Sequence, residues 1–141
     1  MPWDLKQGDA HVMQGLEKGS FEFVYSSHCL EHLEEPHTAL IRWFELVKKG
    51  GYLIVCVPHR DLYEKKKRLP SLWNQDHKSF WLPEFNDPPH TWGLKWLFDT
   101  YIGADKYLLV ENRICDEGWY QVPVEQHSPG EYQVELIAKK L

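Results

Sequence analysis

Hydrophobic positions along the chain change period several times, and each change marks an element. Phe21 to Ser26 (FEFVYS) is a short run of aromatic and β-branched residues closed by polar Ser and His, the pattern of a buried strand. Between Pro36 and Lys49 the apolar residues Ala39, Leu40, Trp43, Phe44, Leu46 and Val47 recur at steps of three and four, which predicts an amphipathic helix. Lys48 and Lys49 oppose the negative pole of that helix, and Gly50-Gly51 can adopt the left-handed conformation that stops it. Tyr52 to Val57 (YLIVCV) is a continuous apolar run ended by Pro58, as expected of a strand covered on both faces in a parallel sheet. Strand, helix, double glycine and strand make a βαβ unit with a right-handed crossover.

Beyond it the pattern loosens. His59 to Pro89 has no clear period, holds four prolines and scatters Tyr63, Trp73, Phe80, Trp81 and Phe85, so residues 59–90 read as a loop-rich insertion of the functional kind. A second helix is predicted over Thr91–Ile102, burying Leu94, Leu97, Phe98 and Tyr101. Two late strands, Tyr107–Ile114 and Tyr132–Ala138, are joined by a loop with Pro123, Pro129 and Gly130 that can close an antiparallel hairpin.

Composition narrows the class. The 141 residues suffice for one domain and hardly for two. A 43% hydrophobic and 26% charged chain is an ordinary globular one, neither disordered nor fibrous. Its net charge of −5 argues against a surface built to track phosphates, which favours a small-molecule ligand over nucleic acid. The basic run Lys65-Lys66-Lys67-Arg68 reads as a solvated loop. Cys29, Cys56 and Cys115, odd in number and widely spaced, suit neither a disulfide framework nor a cysteine zinc site, so a reducing cytoplasm is expected. There is no apolar run of membrane-spanning length and no signal-peptide pattern.

Taken in order, Gly8-Asp9-Ala10, then SFEFVYSSHCLEHLEEP (Ser20 to Pro36), then LVKKGGYLIVCVP (Leu46 to Pro58) resembles the middle and later motifs of the class I S-adenosylmethionine-dependent methyltransferases, of the methyltransferase-11 type. The resemblance implies an α/β, partial Rossmann-like fold, mostly parallel with a C-terminal antiparallel hairpin. It also implies S-adenosylmethionine as cofactor. Asp9 would accept a hydrogen bond from the adenine amino group with Ala10 beside the ring, Ser27 and His28 would face the methionine end, and His32 would lie near the acceptor. Of the family sheet order 3-2-1-4-5-7-6, the motifs present correspond to strands 4, 5, 7 and 6.

The family's opening strand with its Gly-rich loop, and the second strand ending in a ribose-binding acid, have no counterpart in this sequence. The resemblance is therefore to the C-terminal half of such a domain, and residues 1–141 read as a single incomplete one. Strand 21–26, central in the family, becomes a sheet edge that needs cover. A homodimer, or a separate N-terminal half docked on this strand, would supply it. Two functions stay open: a methyltransferase with little activity alone, or a non-catalytic dimeric scaffold or partner subunit.

Histidines raise a further chemistry. His28-Cys29-Leu30-Glu31-His32 spells H-x-x-E-H, the inverted zinc-peptidase motif, but the first His directly follows a strand and Pro36 interrupts the pattern where a long helix is required. Small-RNA 2′-O-methyltransferases and ubiquinone-pathway O-methyltransferases carry E-x-x-E-H at this point and hold a divalent cation there. The resemblance nominates His28, Glu31 and His32 as metal ligands, with His28 standing where those families have Glu, and His59, just past the next strand, is placed where a fourth ligand could converge. The alternative is a metal-free site in which His32 caps a helix or lines the acceptor pocket. Asp76-His77 in the insertion is a candidate carboxylate-oriented general base, or a set of local turn hydrogen bonds.

Overall fold

A computed structural model describes residues 1–117, 123–130 and 132–141. Part of the predicted loop between the late strands, residues 118–122 and 131, lies outside the described residues. The main sheet holds β1 (Phe21–Ser27), β2 (Val47–Pro58), β5 (Tyr107–Cys115) and β6 (Gln133–Lys140) in the order β1-β2-β6-β5. β1 and β2 run parallel, and β6 lies antiparallel between β2 and β5. Helix α1 (Pro36–Leu46) links β1 to β2, while β3 (Phe80–Leu82) and β4 (Thr91–Gly93) form a separate parallel pair that leads into α2 (Leu94–Phe98). Among the described residues no helix is long and apolar enough to cross a membrane.

The core follows from the two-residue period of the central strands. Leu53, Val55 and Val57 of β2 pair with Ala138, Leu136 and Val134 of β6, and all six are fully buried. Ala39, Leu40 and Trp43 of α1 join them in one cluster with Leu94, Leu97 and Phe98 of α2. Burying each such side chain stabilises the fold by roughly 1.5–3 kcal/mol. The other face of β2 is half open: Tyr52 is exposed, Ile54 is partly covered, and Lys139 lies over the Tyr52 ring. The apolar run YLIVCV thus overstates the cover on that side. Cys56 points there, donating its thiol to Glu135 Oε2 at 3.5 Å, and burial pushes that thiol up to about 12.

Helix α1 stops three residues before the predicted Lys49. Lys140 of β6 takes over its carboxyl end, donating from Nζ to the carbonyls of Val47 (2.7 Å) and Phe44 (3.0 Å) and sitting 5.0 Å over the Phe44 ring. Lys48 instead pairs with Glu22 across the strands. Phe21 pairs with Val47 but Phe23 already with Tyr52, so β2 bulges at the double glycine. The two glycines answer different needs. Gly50 adopts φ +81°, and a Cβ on Gly51 would lie 2.4 Å from the Glu22 carbonyl.

The predicted second helix loses its first residues to β4, because Gly93 passes so close to Glu84 that a Cβ would come within 2.1 Å of its carbonyl oxygen. The helix continues past Phe98 as a π-helical turn, Asp99–Gly103. In the insertion, another π-helical turn, Arg60–Glu64, is capped by buried His59, whose Nδ1 accepts from Asp61 N (3.1 Å) and Leu62 N (3.3 Å). The basic run ties the insertion down. Lys65 donates to the carbonyls of Pro123 and Gln126, Lys66 to that of Pro70, and Arg68 pairs with Asp87. At the amino end, Arg42 of α1 donates to the carbonyls of Val12, Met13 and Leu16, and Trp43 Nε1 to that of Ala10.

Three outcomes are expected. Gly51→Ala forces backbone apart at the bulge and lowers unfolding free energy by about 1–3 kcal/mol in urea titration. An unchanged midpoint would contradict the close approach. Lys140→Met keeps the stem but loses the charged donor and lowers thermal stability by about 1 kcal/mol, discounted for partial exposure. Burial holds His59 below its ordinary value of 6.5, so its contribution is complete above about pH 6.5 and is lost as pH falls from there through the lower folded value. Unfolding titrations from pH 7.5 to 5 should therefore show a shallower decline in His59→Gln than in the parent, and equal slopes would remove this role.

Candidate functional site

β1 ends at Ser27 and the chain turns at once, because His28 takes φ +50°, a conformation uncommon for a side-chain-bearing residue. Its N–H donates to the Cys56 carbonyl (3.0 Å) and its Nε2 lies 2.9 Å from Gln133 Oε1. Leu30–His32 is a single 3-10 turn, anchored by fully buried Leu30. The H-x-x-E-H letters therefore do not lie on an α-helix, and the two histidines diverge: His28 turns to β6, His32 to the insertion.

Between them stands Glu31, only 1% exposed, with neither carboxylate oxygen hydrogen-bonded. Burial pushes its carboxyl up to about 7. Oε1 is 3.8 Å from His32 Nε2 and 3.6 Å from His28 Nδ1. The Glu31 carbonyl accepts from the N–H groups of Lys78 (2.7 Å) and Ser79 (3.3 Å), and this contact sets His77 beside it. The rings of His32 and His77 meet edge to face with centroids 4.8 Å apart.

Buried His77 is paired through Nδ1 with Glu64, whose other oxygen accepts from the Ser71 hydroxyl. Sequence reasoning missed Glu64. It sits in the π-helical turn after His59, and no motif spacing ties it to His77; its burial is a property of the folded insertion alone. Asp76 does not orient His77 as its adjacency suggests. Its carboxylate lies 3.2 Å from His32 Nδ1, out of hydrogen-bond alignment. His59 stands apart from this group because its Nδ1 already accepts two backbone N–H groups. Among the described residues, Glu31, His32 and His77 are the group whose ligand atoms come within 4.8 Å of one another.

A second locus lies at the carboxyl end of β1. Ala10, Ser26, Ser27, Cys29 and Trp43 line a cleft of about 180 Å³, into which the buried Ser26 hydroxyl brings an oxygen without a partner. That orphaned hydroxyl fits a polar ligand, but the volume is below the roughly 300–1,000 Å³ of small-molecule sites. Asp9 is exposed beside it. Its Oδ1 accepts from His11 N (2.8 Å) and lies 2.7 Å from His11 Nδ1, contacts that hold its carboxyl below the usual carboxylate range. The cleft shares Trp3, Met13, Val24, Tyr25 and Ser27 with a wider groove of about 750 Å³ along β1. Phe23 and Tyr25 stand exposed on this strand, which among the described residues pairs with β2 alone.

The chain was compared with known families and structures. Residues 2–55 match the family model described as methyltransferase domain. No curated protein matches the chain. Among solved structures, a SAM-dependent methyltransferase from Thermotoga maritima, described as a possible histamine N-methyltransferase, is similar over 95% of this chain and 62% of its own, with TM-score 0.55 and 20% identity. A SAM-dependent methyltransferase from Archaeoglobus fulgidus is similar over 94% of this chain and 66% of its own, with TM-score 0.56 and 18% identity. The chain thus spans under two thirds of each. With strands ordered β1-β2-β6-β5 and the methyltransferase-domain signature in residues 2–55, the chain has part of the class I S-adenosylmethionine-dependent methyltransferase fold.

Proposed function

We propose that this chain forms the acceptor side of a methyl-transfer site and that its donor side is completed across the open edge of β1. The observation that carries the reading is the pairing of an undersized polar cleft with an uncovered strand: the cleft beside Ala10 and Ser27 continues into the groove along β1. In open α/β sheets ligands sit outside the carboxyl ends of the strands, and this cleft lies there. S-adenosylmethionine, when bound, supplies an electrophilic methyl group. Ala10 offers an apolar wall for the base, and the Asp9 carboxylate, kept anionic by His11, is an acceptor for its amino group. The Ser26 and Ser27 hydroxyls are donors toward the cleft. On the acceptor side, His32 is the partly exposed member of the histidine group and the one nearest the approach of an acceptor hydroxyl or amine. A small-molecule acceptor suits the net negative charge.

In the isolated chain the edge of β1 is read as covered by a second copy pairing edge to edge, which occupies the edge without supplying a donor side, an association that exposed Phe23 and Tyr25 favour. Isothermal titration of the isolated chain with S-adenosylmethionine is expected to show no micromolar binding, and sedimentation velocity at tens of micromolar to show a dimer. Phe23→Lys combined with Tyr25→Lys should return it to monomer with unchanged circular dichroism, since both side chains are exposed. Micromolar binding of S-adenosylmethionine by a monomer would overturn the reading.

A further inference from the structure

The Glu31, His32 and His77 side chains converge without a role in the fold that accounts for them. A carboxylate buried to 1% exposure without any hydrogen bond is costly, since desolvation of a charged group is not offset unless it is paired or coordinates a metal. His77 is held by Glu64 through Nδ1, which leaves its Nε2 as the free nitrogen, and His32, whose Nδ1 lies 3.2 Å from Asp76 without a hydrogen bond, turns Nε2 toward Glu31. A carboxylate behind each imidazole is the arrangement that fixes ring orientation and raises ligand basicity in metal sites. His32 Nε2 is already 3.8 Å from Glu31 Oε1.

We infer that Glu31, His32 and His77 form a site for zinc, with Glu64 and Asp76 as positioning residues. Two imidazoles and one carboxylate make a three-ligand zinc set, whereas calcium and magnesium call for more oxygen donors than this group offers. Zinc–ligand distances of about 2.0–2.2 Å put tetrahedral ligand atoms roughly 3.4 Å apart. The three ligand atoms, now within 4.8 Å of one another, close by at most about 1.4 Å on binding. The fourth position opens on the His32 side, where the group reaches solvent. This ligand set differs from the one the H-x-x-E-H letters suggest: His28, although its Nδ1 lies 3.6 Å from Glu31 Oε1, is not in the group whose ligand atoms all lie within 4.8 Å of one another, and His59 caps a turn. The inference stands without the methyl-transfer reading, since it is argued from the geometry of Glu31, His32 and His77 and tested by zinc binding.

The purified chain, stripped with a chelator and dialysed, is titrated with zinc against a chromophoric competitor and separately with cobalt(II). One equivalent of zinc is expected to bind. Cobalt should give the visible absorption of a four-coordinate nitrogen–oxygen site without a thiolate charge-transfer band. His32→Ala, His77→Ala and Glu31→Gln should each weaken zinc binding at least 100-fold. Glu64→Gln should weaken it about 10–100-fold with one-to-one stoichiometry kept. His28→Ala should stay within twofold. Circular dichroism monitors folding of each variant, and the wild-type cobalt spectrum tests the site even if a variant fails to fold. No saturable binding up to 100-fold excess zinc, a thiolate band, or loss in His28→Ala with retention in His77→Ala each overturns the site.

Discussion

Two backbone hydrogen bonds to one carbonyl hold the candidate site together. The N–H groups of Lys78 and Ser79 donate to Glu31, joining the turn that follows β1 to the far end of the insertion. The contact is kept in place from both sides: Leu30 is fully buried before it, and Phe80, fully buried after it, starts β3 and donates its N–H to the His90 carbonyl. His59 bridges to Trp81, so the insertion is stitched to the end of β2 as well. Without the Glu31 contact, His77 would have no fixed relation to His32. The insertion is thus a second wall of the molecule rather than a loose cover, and the buried acid at its seam has neither carboxylate oxygen hydrogen-bonded.

Much of this was legible in the residues, and what was not has physical causes. β1, α1 and β2 follow from hydrophobic period because each buries one face of its own side chains, as Ala39, Leu40 and Trp43 or Leu53, Val55 and Val57 do. The end of α1 has no local mark, because its last carbonyls are satisfied by Lys140, a residue distant in sequence that no local pattern names. Residues 91–93 carry a helical pattern because Thr91 and Trp92 continue the spacing of α2, while the reason for an extended backbone, the approach to Glu84, is tertiary. Glu31, His32 and His77 all stand out in the sequence as chemistry-bearing residues, but their grouping is not visible there, since the partner of His77 is Glu64 and not the adjacent Asp76.

The amino-terminal segment shows how far side chains substitute for regular structure. Residues 9–16 belong to no helix or strand, yet Arg42 and Trp43 take four of their carbonyls. A loop satisfied in this way keeps its backbone polar groups paired at the edge of the core. The position of Ala10 at the cleft is consequently set by α1, and any shift of that helix is passed directly to the ligand-facing loop.

The placement of β6 bears on how the chain acquires its shape. This strand follows β5 in sequence but inserts between β2 and β5, and it also carries the lysine that completes α1. While the chain emerges from the ribosome, β2 has an open flank and α1 an unfinished end until β6 has been made. The nascent βα unit is held back from a stable fold by these long-range pairings, a topology that folds slowly and leaves strand edges in the reach of chaperones and of other nascent copies.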